Sequence, residues 1–121
     1  MIKGQCLCGT VQYRYHAEIT QSILCYCQHC QQAQGSFAAW NSPVDQNQFE
    51  LISGKEQLKE YFHTPNEARV FCPNCGSPIC SYRTDLPNIL RLRLGTVTEG
   101  TIPAATEEFF CEHKPNFIEL R

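Results

Sequence analysis

Nine cysteines among 121 residues constrain this chain more than any other feature. Seven fall into three short groups: Cys6-Leu7-Cys8-Gly9, Cys25-Tyr26-Cys27-Gln28-His29-Cys30 and Cys72-Pro73-Asn74-Cys75-Gly76. Cys80 follows the last group closely and Cys111 stands alone. An odd number of thiols cannot pair completely within one chain. The first residues, Met1 to Cys6, carry no apolar run of signal-peptide length, and no segment is long and apolar enough to span a bilayer. The expected compartment is therefore the reducing cytosol, where disulfides rarely persist. Metal binding is the expected use of the thiols.

The rest of the composition narrows the classes further. The length fits a single domain over residues 1–121, with a thin core to which bound metal would add stability. Twelve acids against ten bases give a net charge of −2, and no basic stretch makes a nucleic-acid footprint.

Apolar residues mostly alternate with period two, the pattern of half-buried strands. Leu90-Arg91-Leu92-Arg93-Leu94 puts leucines on one face and arginines on the other, and Val11 to Tyr15 alternates likewise. Phe49 to Ile52, Leu58 to Phe62, Arg69 to Cys72, Ile79 to Tyr82 and Glu108 to Cys111 read as further short strands. Glu56 to Phe62 also fits a helical turn or two. Gln28 to Gln34 is the one segment read as helix, stopped by Gly35. The expected fold is mainly β, made of short antiparallel strands with one short helix.

Tetrahedral zinc with sulfurs about 2.3 Å away needs neighbouring sulfurs about 3.8 Å apart. Cysteines one or two residues apart reach that separation if the backbone turns tightly, and a following glycine permits the left-handed turn. Cys8 is followed by Gly9 and Cys75 by Gly76, whereas Cys27 and Cys30 have no glycine behind them. Cys6, Cys8, Cys72 and Cys75 are therefore expected to form one closed four-thiolate site joining two ends of a sheet. The 63 residues between the pairs, 9 to 71, are no obstacle, because closure entropy grows only logarithmically with length.

Cys25, Cys27 and Cys30 are different in kind. Three thiolates without an equal fourth ligand nearby match a zinc site with an open position, as catalytic sites have. Cys27 and Cys30 would flank the start of the helix, whose dipole favours thiolates. Three thiolates around one Zn²⁺ leave a formal charge of −1, so amides or a basic group should compensate. A structural site closed by His16, His29, His63 or His113 is an alternative, and so is a redox-sensing thiol group. His29 is expected to point away from the helix face that carries the ligands. Cys80 and Cys111 are expected to pack in apolar strands, Phe37 and Trp40 to belong to the core rather than to a pocket, and Arg91 and Arg93 to form a solvated strand face rather than to meet an anionic substrate.

Gly4-x-Cys6-x-Cys8-Gly9-x-Val11-x-Tyr13, Cys25-x-Cys27-x-x-Cys30 before Gly35-Ser36, and Phe71-Cys72-x-x-Cys75-Gly76-Ser77-Pro78 together resemble the glutathione-dependent formaldehyde-activating family, which includes the centromere protein V domain. Arg93-x-Gly95-Thr96-Val97 and His113-Lys114-Pro115 resemble family features too. The resemblance implies an Mss4-like fold with two zinc ions per chain. Cys6, Cys8, Cys72 and Cys75 would hold the structural ion, and Cys25, Cys27 and Cys30 the catalytic one. It also implies the reaction, a carbon–sulfur lyase chemistry in which glutathione and formaldehyde combine to S-hydroxymethylglutathione. A non-catalytic zinc module that binds a protein or a small thiol is the other function open to the same residues.

Overall fold

The computed structural model describes residues 1–118, and the alternating segments of the sequence form eleven strands among them. In chain order these are β1 (Ile2–Gln5), β2 (Gln12–Tyr15), β3 (Ile23–Cys25), β4 (Ala39–Asp45), β5 (Phe49–Ser53), β6 (Lys59–Thr64), β7 (Glu67–Phe71), β8 (Pro78–Arg83), β9 (Ile89–Arg93), β10 (Val97–Glu99) and β11 (Glu107–Phe109). A single α-helix, α1 (Gln28–Gln34), joins β3 to β4. The helix ends where glycine was expected to stop it, with Gly35 in the left-handed region at φ 60°.

The strands form two sheets rather than one. A four-stranded sheet has the order β10-β1-β2-β5, and a seven-stranded sheet the order β11-β3-β4-β9-β8-β7-β6. Pairing is antiparallel throughout except at one edge, where β11 runs parallel to β3. A parallel neighbour needs a long crossover, and here the whole body of the chain lies between the two strands. Strands β1, β3, β4 and β10 lack a clear two-residue alternation and were not anticipated. The ambiguous segment from Glu56 divides: Lys55–Gln57 is a 3₁₀ turn and the strand follows it.

The core lies between the sheets. Ile2, Tyr13 and Tyr15 from the small sheet, with Val11 just before β2, meet Val44, Val70, Ile79, Leu90 and Leu92 from the large one. In β9 the alternation works as the sequence implies on one side only: Leu90 and Leu92 enter the core, and Arg91 and Arg93 turn to the opposite face. That opposite face carries the cavity described below.

Buried tyrosines need partners for their hydroxyl groups. Tyr13 shares a hydrogen bond of 2.7 Å with Thr96 Oγ1, and the Tyr15 hydroxyl accepts from the Asp45 amide at 3.1 Å. The Tyr13 ring also explains Gly4, opposite it on β1. A Cβ at residue 4 would lie 2.2 Å from Tyr13 Cζ. Gly4→Ala is expected to push the ring out of its packed position and to lower unfolding stability by about 1–3 kcal/mol, read from the midpoint of urea denaturation.

Candidate functional site

The first thiol group is built by two hairpins, one from each sheet. Cys6 and Cys8 lie in the turn between β1 and β2, and Cys72 and Cys75 in the turn between β7 and β8. Both turns close on their cysteine backbone: Gly9 N donates to Cys6 O at 3.1 Å, and Gly76 N to Cys72 O at 2.7 Å. Gly9 and Gly76 each adopt φ +80°, the left-handed conformation that the glycine-after-cysteine spacing requires. Leu7 N donates to Ser77 Oγ at 2.9 Å and ties one turn to the other.

Sulfur atoms of Cys6 and Cys8 are 3.6 Å apart, and those of Cys8 and Cys72 are 3.9 Å apart. These separations bracket the edge of about 3.8 Å required by sulfurs around zinc. All four donor atoms lie within 4.8 Å of one another, the only such group of three or more possible ligands among the described residues. The cluster could hold a metal ion. Polar groups around it favour thiolates. Hydrogen bonds from Thr10 and Asn74 lower the Cys8 thiol to about 7, and bonds from Ser77 lower Cys75 to about 5. Burial raises Cys72 to about 11, so this sulfur above all needs a cation to ionise.

The second group stands elsewhere, on the outer face of the seven-stranded sheet. Cys25 ends β3, Cys27 is the residue that caps α1, and Cys30 lies in its first turn. All three line one cavity of about 600 Å³. Cys25 and Cys30 sulfurs are 3.5 Å apart, close enough to share a proton. Cys27 is not drawn into a cluster with them, so the expected three-thiolate site is not gathered as the four-thiol site is.

The cavity floor comes from the period of the strands. Register aligns Arg69 of β7 with Ser81 of β8, and Ser81 with Arg91 of β9, in one row across the sheet. Asn41 of β4 lies opposite Arg93 in the next pairing. The guanidinium of Arg69 reaches Cys30 Sγ at 3.7 Å. The shared proton with Cys25, then Arg69, and then Arg93 lower the Cys30 thiol to about 5, while Cys25 is raised as the holder of that proton. Arg93 is 4 % exposed. It is held by Gln34 Oε1 of the helix, the Arg91 carbonyl and Ser81 Oγ, each accepting at 3.0–3.1 Å. Burial lowers Arg93 to about 10, with Cys30 opposing that fall.

Several sequence expectations are corrected here. Arg93 is buried and Arg91 half-buried, so the arginine face of β9 is a cavity floor and not a solvated surface. Cys80 does pack in the core, where burial raises it to about 12. Cys111 does not: β11 ends at Phe109, and Cys111 is exposed in the 3₁₀ turn Cys111–His113. Phe37 and Trp40 are 40 % and 39 % exposed and belong neither to the core nor to the cavity wall. Trp40 instead lies on the surface with its indole donating to Ser22 Oγ. His29 was expected to point off the site, but it lines the cavity and packs on His63 with ring centroids 5.1 Å apart. Of the histidines considered as a fourth ligand, His16 pairs with Glu50 on the other sheet, and His113 lies in the turn after β11, outside the cavity lining.

Arg69 and Ser81 are not among the site candidates that the sequence offers, and His63 is there only as one possible fourth zinc ligand. Their signal existed in part: Glu67-Ala68-Arg69-Val70 alternates, and its polar half faces the cavity. Nothing in one strand tells which neighbour its polar side will meet.

Two packed sheets joined at a four-thiol cluster that could hold a metal ion, with a second cysteine group over a basic cavity, define a small mainly β protein. Residues 1–113 match the family model described as glutathione-dependent formaldehyde-activating enzyme, and the chain belongs to that family. No curated protein matches the sequence. A crystal structure of a Rhodobacter sphaeroides protein is similar in fold, with 23 % identity and a TM-score of 0.69 over 88 % of this chain and 98 % of that one. Among the described residues, no helix is long and apolar enough to cross a membrane.

The two thiol groups should respond differently to serine. A zinc ion held by the four-thiol cluster would be worth on the order of 10–16 kcal/mol, as much as the whole stability of a small domain. Cys72→Ser is expected to abolish cooperative thermal unfolding followed by circular dichroism, whereas Cys27→Ser should leave the melting curve close to that of the parent.

Proposed function

We propose that the protein is a zinc-dependent carbon–sulfur lyase that joins a small thiol such as glutathione to an aldehyde such as formaldehyde, or cleaves the adduct. One observation carries this reading: three cysteines of a family made for this chemistry share a cavity with a buried arginine floor, and Arg69 faces the Cys30 sulfur at 3.7 Å. Cys6, Cys8, Cys72 and Cys75 are assigned a structural zinc ion. Cys25, Cys27 and Cys30 are assigned a second one, with a coordination position left for substrate. When bound there, zinc favours the thiolate form of an incoming thiol and holds its sulfur for reaction.

The chain's own residues do the rest. An anionic site that takes a further thiolate needs positive charge close by, and Arg69 and Arg93 supply it and, among the described residues, form no salt bridge with an acidic side chain. Arg91, nearer the cavity rim, suits a carboxylate of a peptide-like thiol, with a guanidinium fork matched to two oxygens, whereas the Arg83 fork is already held by Asp85 and Glu67. Phe109 and Phe110 form an apolar side of the cavity and limit water around the reacting carbon. The volume of about 600 Å³ is within the usual range for small-molecule sites and admits a tripeptide without a covering loop. Uncatalysed addition of thiols to formaldehyde is already easy, so the contribution of such a site is orientation and charge balance.

The test begins with protein whose zinc content has been measured at about two ions per chain. Exchange of ¹³C-formaldehyde between its hydrate and the glutathione adduct, followed by magnetisation-transfer NMR, is expected to accelerate well above the protein-free rate. Cys30→Ser should lose one zinc ion and the acceleration together while keeping its fold. Full metal content with only the background rate, across several thiols and aldehydes, would sink the catalytic reading. If glutathione still bound in that case, the protein would be a zinc-dependent thiol-binding module instead.

A further inference from the structure

The β6–β7 hairpin contains an irregularity that this chemistry has not yet used. Phe62 pairs with Ala68 and Thr64 with Glu67, so His63 is an extra residue with no partner opposite. Bulges of this kind re-aim side chains, and here both His63 and Thr64 line the cavity of the three cysteines. The His63 side chain is 15 % exposed, while Tyr61 and Phe62 before it stand largely in solvent.

The ring is held from two sides. His63 Nε2 lies 3.0 Å from Glu67 Oε2, and Arg83 Nη1 donates to the other carboxylate oxygen at 3.2 Å. A carboxylate accepts hydrogen bonds, so Nε2 carries the hydrogen and Nδ1 presents a lone pair. His29 packs across the ring. Nδ1 is buried and has no partner, and among the described residues the only other buried side-chain nitrogen or oxygen in that state is Arg69 Nη1. Leaving such atoms unpaired costs stability. One is an acceptor and the other a donor, and both residues line the same cavity. A hydroxyl group carries both complementary functions, since it donates one hydrogen bond and accepts another.

We infer that His63, oriented by Glu67, is the acid–base residue of the thiol–aldehyde reaction, and that Arg69 Nη1 holds the carbonyl oxygen that becomes the adduct hydroxyl. The inference rests on the reading given under Proposed function. In the forward direction the substrate S–H bond breaks and its proton passes to Nδ1. The sulfur electron pair forms the C–S bond, and the carbonyl π pair moves to oxygen beside Arg69. The proton then leaves Nδ1 for that oxygen. Cleavage runs the same steps backward, and neither direction needs an oxidant or a reductant.

The experiment compares wild type, His63→Gln and His63→Ala in zinc-loaded protein by the same exchange measurement. Glutamine keeps a polar group of similar reach but cannot relay the proton. His63→Gln is expected to lower the exchange rate about 100-fold or more, with zinc content and the glutathione dissociation constant within twofold of wild type. Added imidazole should restore part of the rate to His63→Ala, a rescue that a merely structural histidine would not show. A wild-type rate in His63→Gln, or no rescue of a folded His63→Ala, overturns this assignment while the lyase reading stands. A wild type that never exceeds the background rate overturns both.

Discussion

Four sulfur atoms meet at the junction of the two sheets, where they could hold a metal ion. Cys6 and Cys8 come from the small sheet, Cys72 and Cys75 from the large one, and the chain between them contains most of the fold. A sheet pair with a core this small depends on such a junction, because burial alone leaves little margin against chain entropy. The cluster also fixes which ends of the sheets meet. The β7–β8 turn is one end of the hairpin whose strands carry Arg69 and Ser81, so the clip and the cavity floor are connected through the same two strands.

The seven-stranded sheet then divides its labour between faces. Leu90, Leu92, Val70 and Cys80 fill the inside, and Arg91, Arg93, Arg69 and Ser81 turn outward. Outward does not mean solvated. The helix α1, the β6–β7 hairpin and the segment after β11 rise around this face and bury Arg93 almost completely. Buried guanidinium groups need negative charge or good acceptors, and the Cys30 sulfur beside Arg69, with Gln34 and Ser81 on Arg93, provides them. Thiol and arginine each make the other tolerable in a partly dry site. Tyr26 and Lys114 both bind Glu108, which ties the segment after β11 against the cysteine group.

Legibility in the sequence followed the range of the interaction. The four-thiol site was readable because spacing and a following glycine encode a local turn, and both glycines adopt φ +80°. Helix α1 was readable to the residue, since propensity and a glycine stop act within a few positions. The arginine face of β9 was read with the right period and the wrong environment. Period two says that Arg91 and Arg93 oppose the leucines, but not that a helix and a hairpin cover them. Phe37 and Trp40 failed the other way: large apolar residues beside a helix read as core, yet both stand partly exposed at the surface. His63 was legible only as one of four histidines that could close a zinc site, because its place in the cavity depends on a bulge that exists only in pairing with β7.

By itself the sequence determined the four-thiol cluster, which could hold a metal ion, and the mainly β character. These are properties of neighbours along the chain, where turns and alternation are set by steric and hydrogen-bonding choices of a few residues. The tertiary structure alone decided that two sheets stack, that the polar side of one becomes a cavity, and that His63, Glu67, Arg69 and Arg93 surround the second cysteine group. Strand order and register bring these residues together from three strands, β6, β7 and β9. No local pattern carries that information, because a strand's polar face looks the same whether water or a thiol lies across from it.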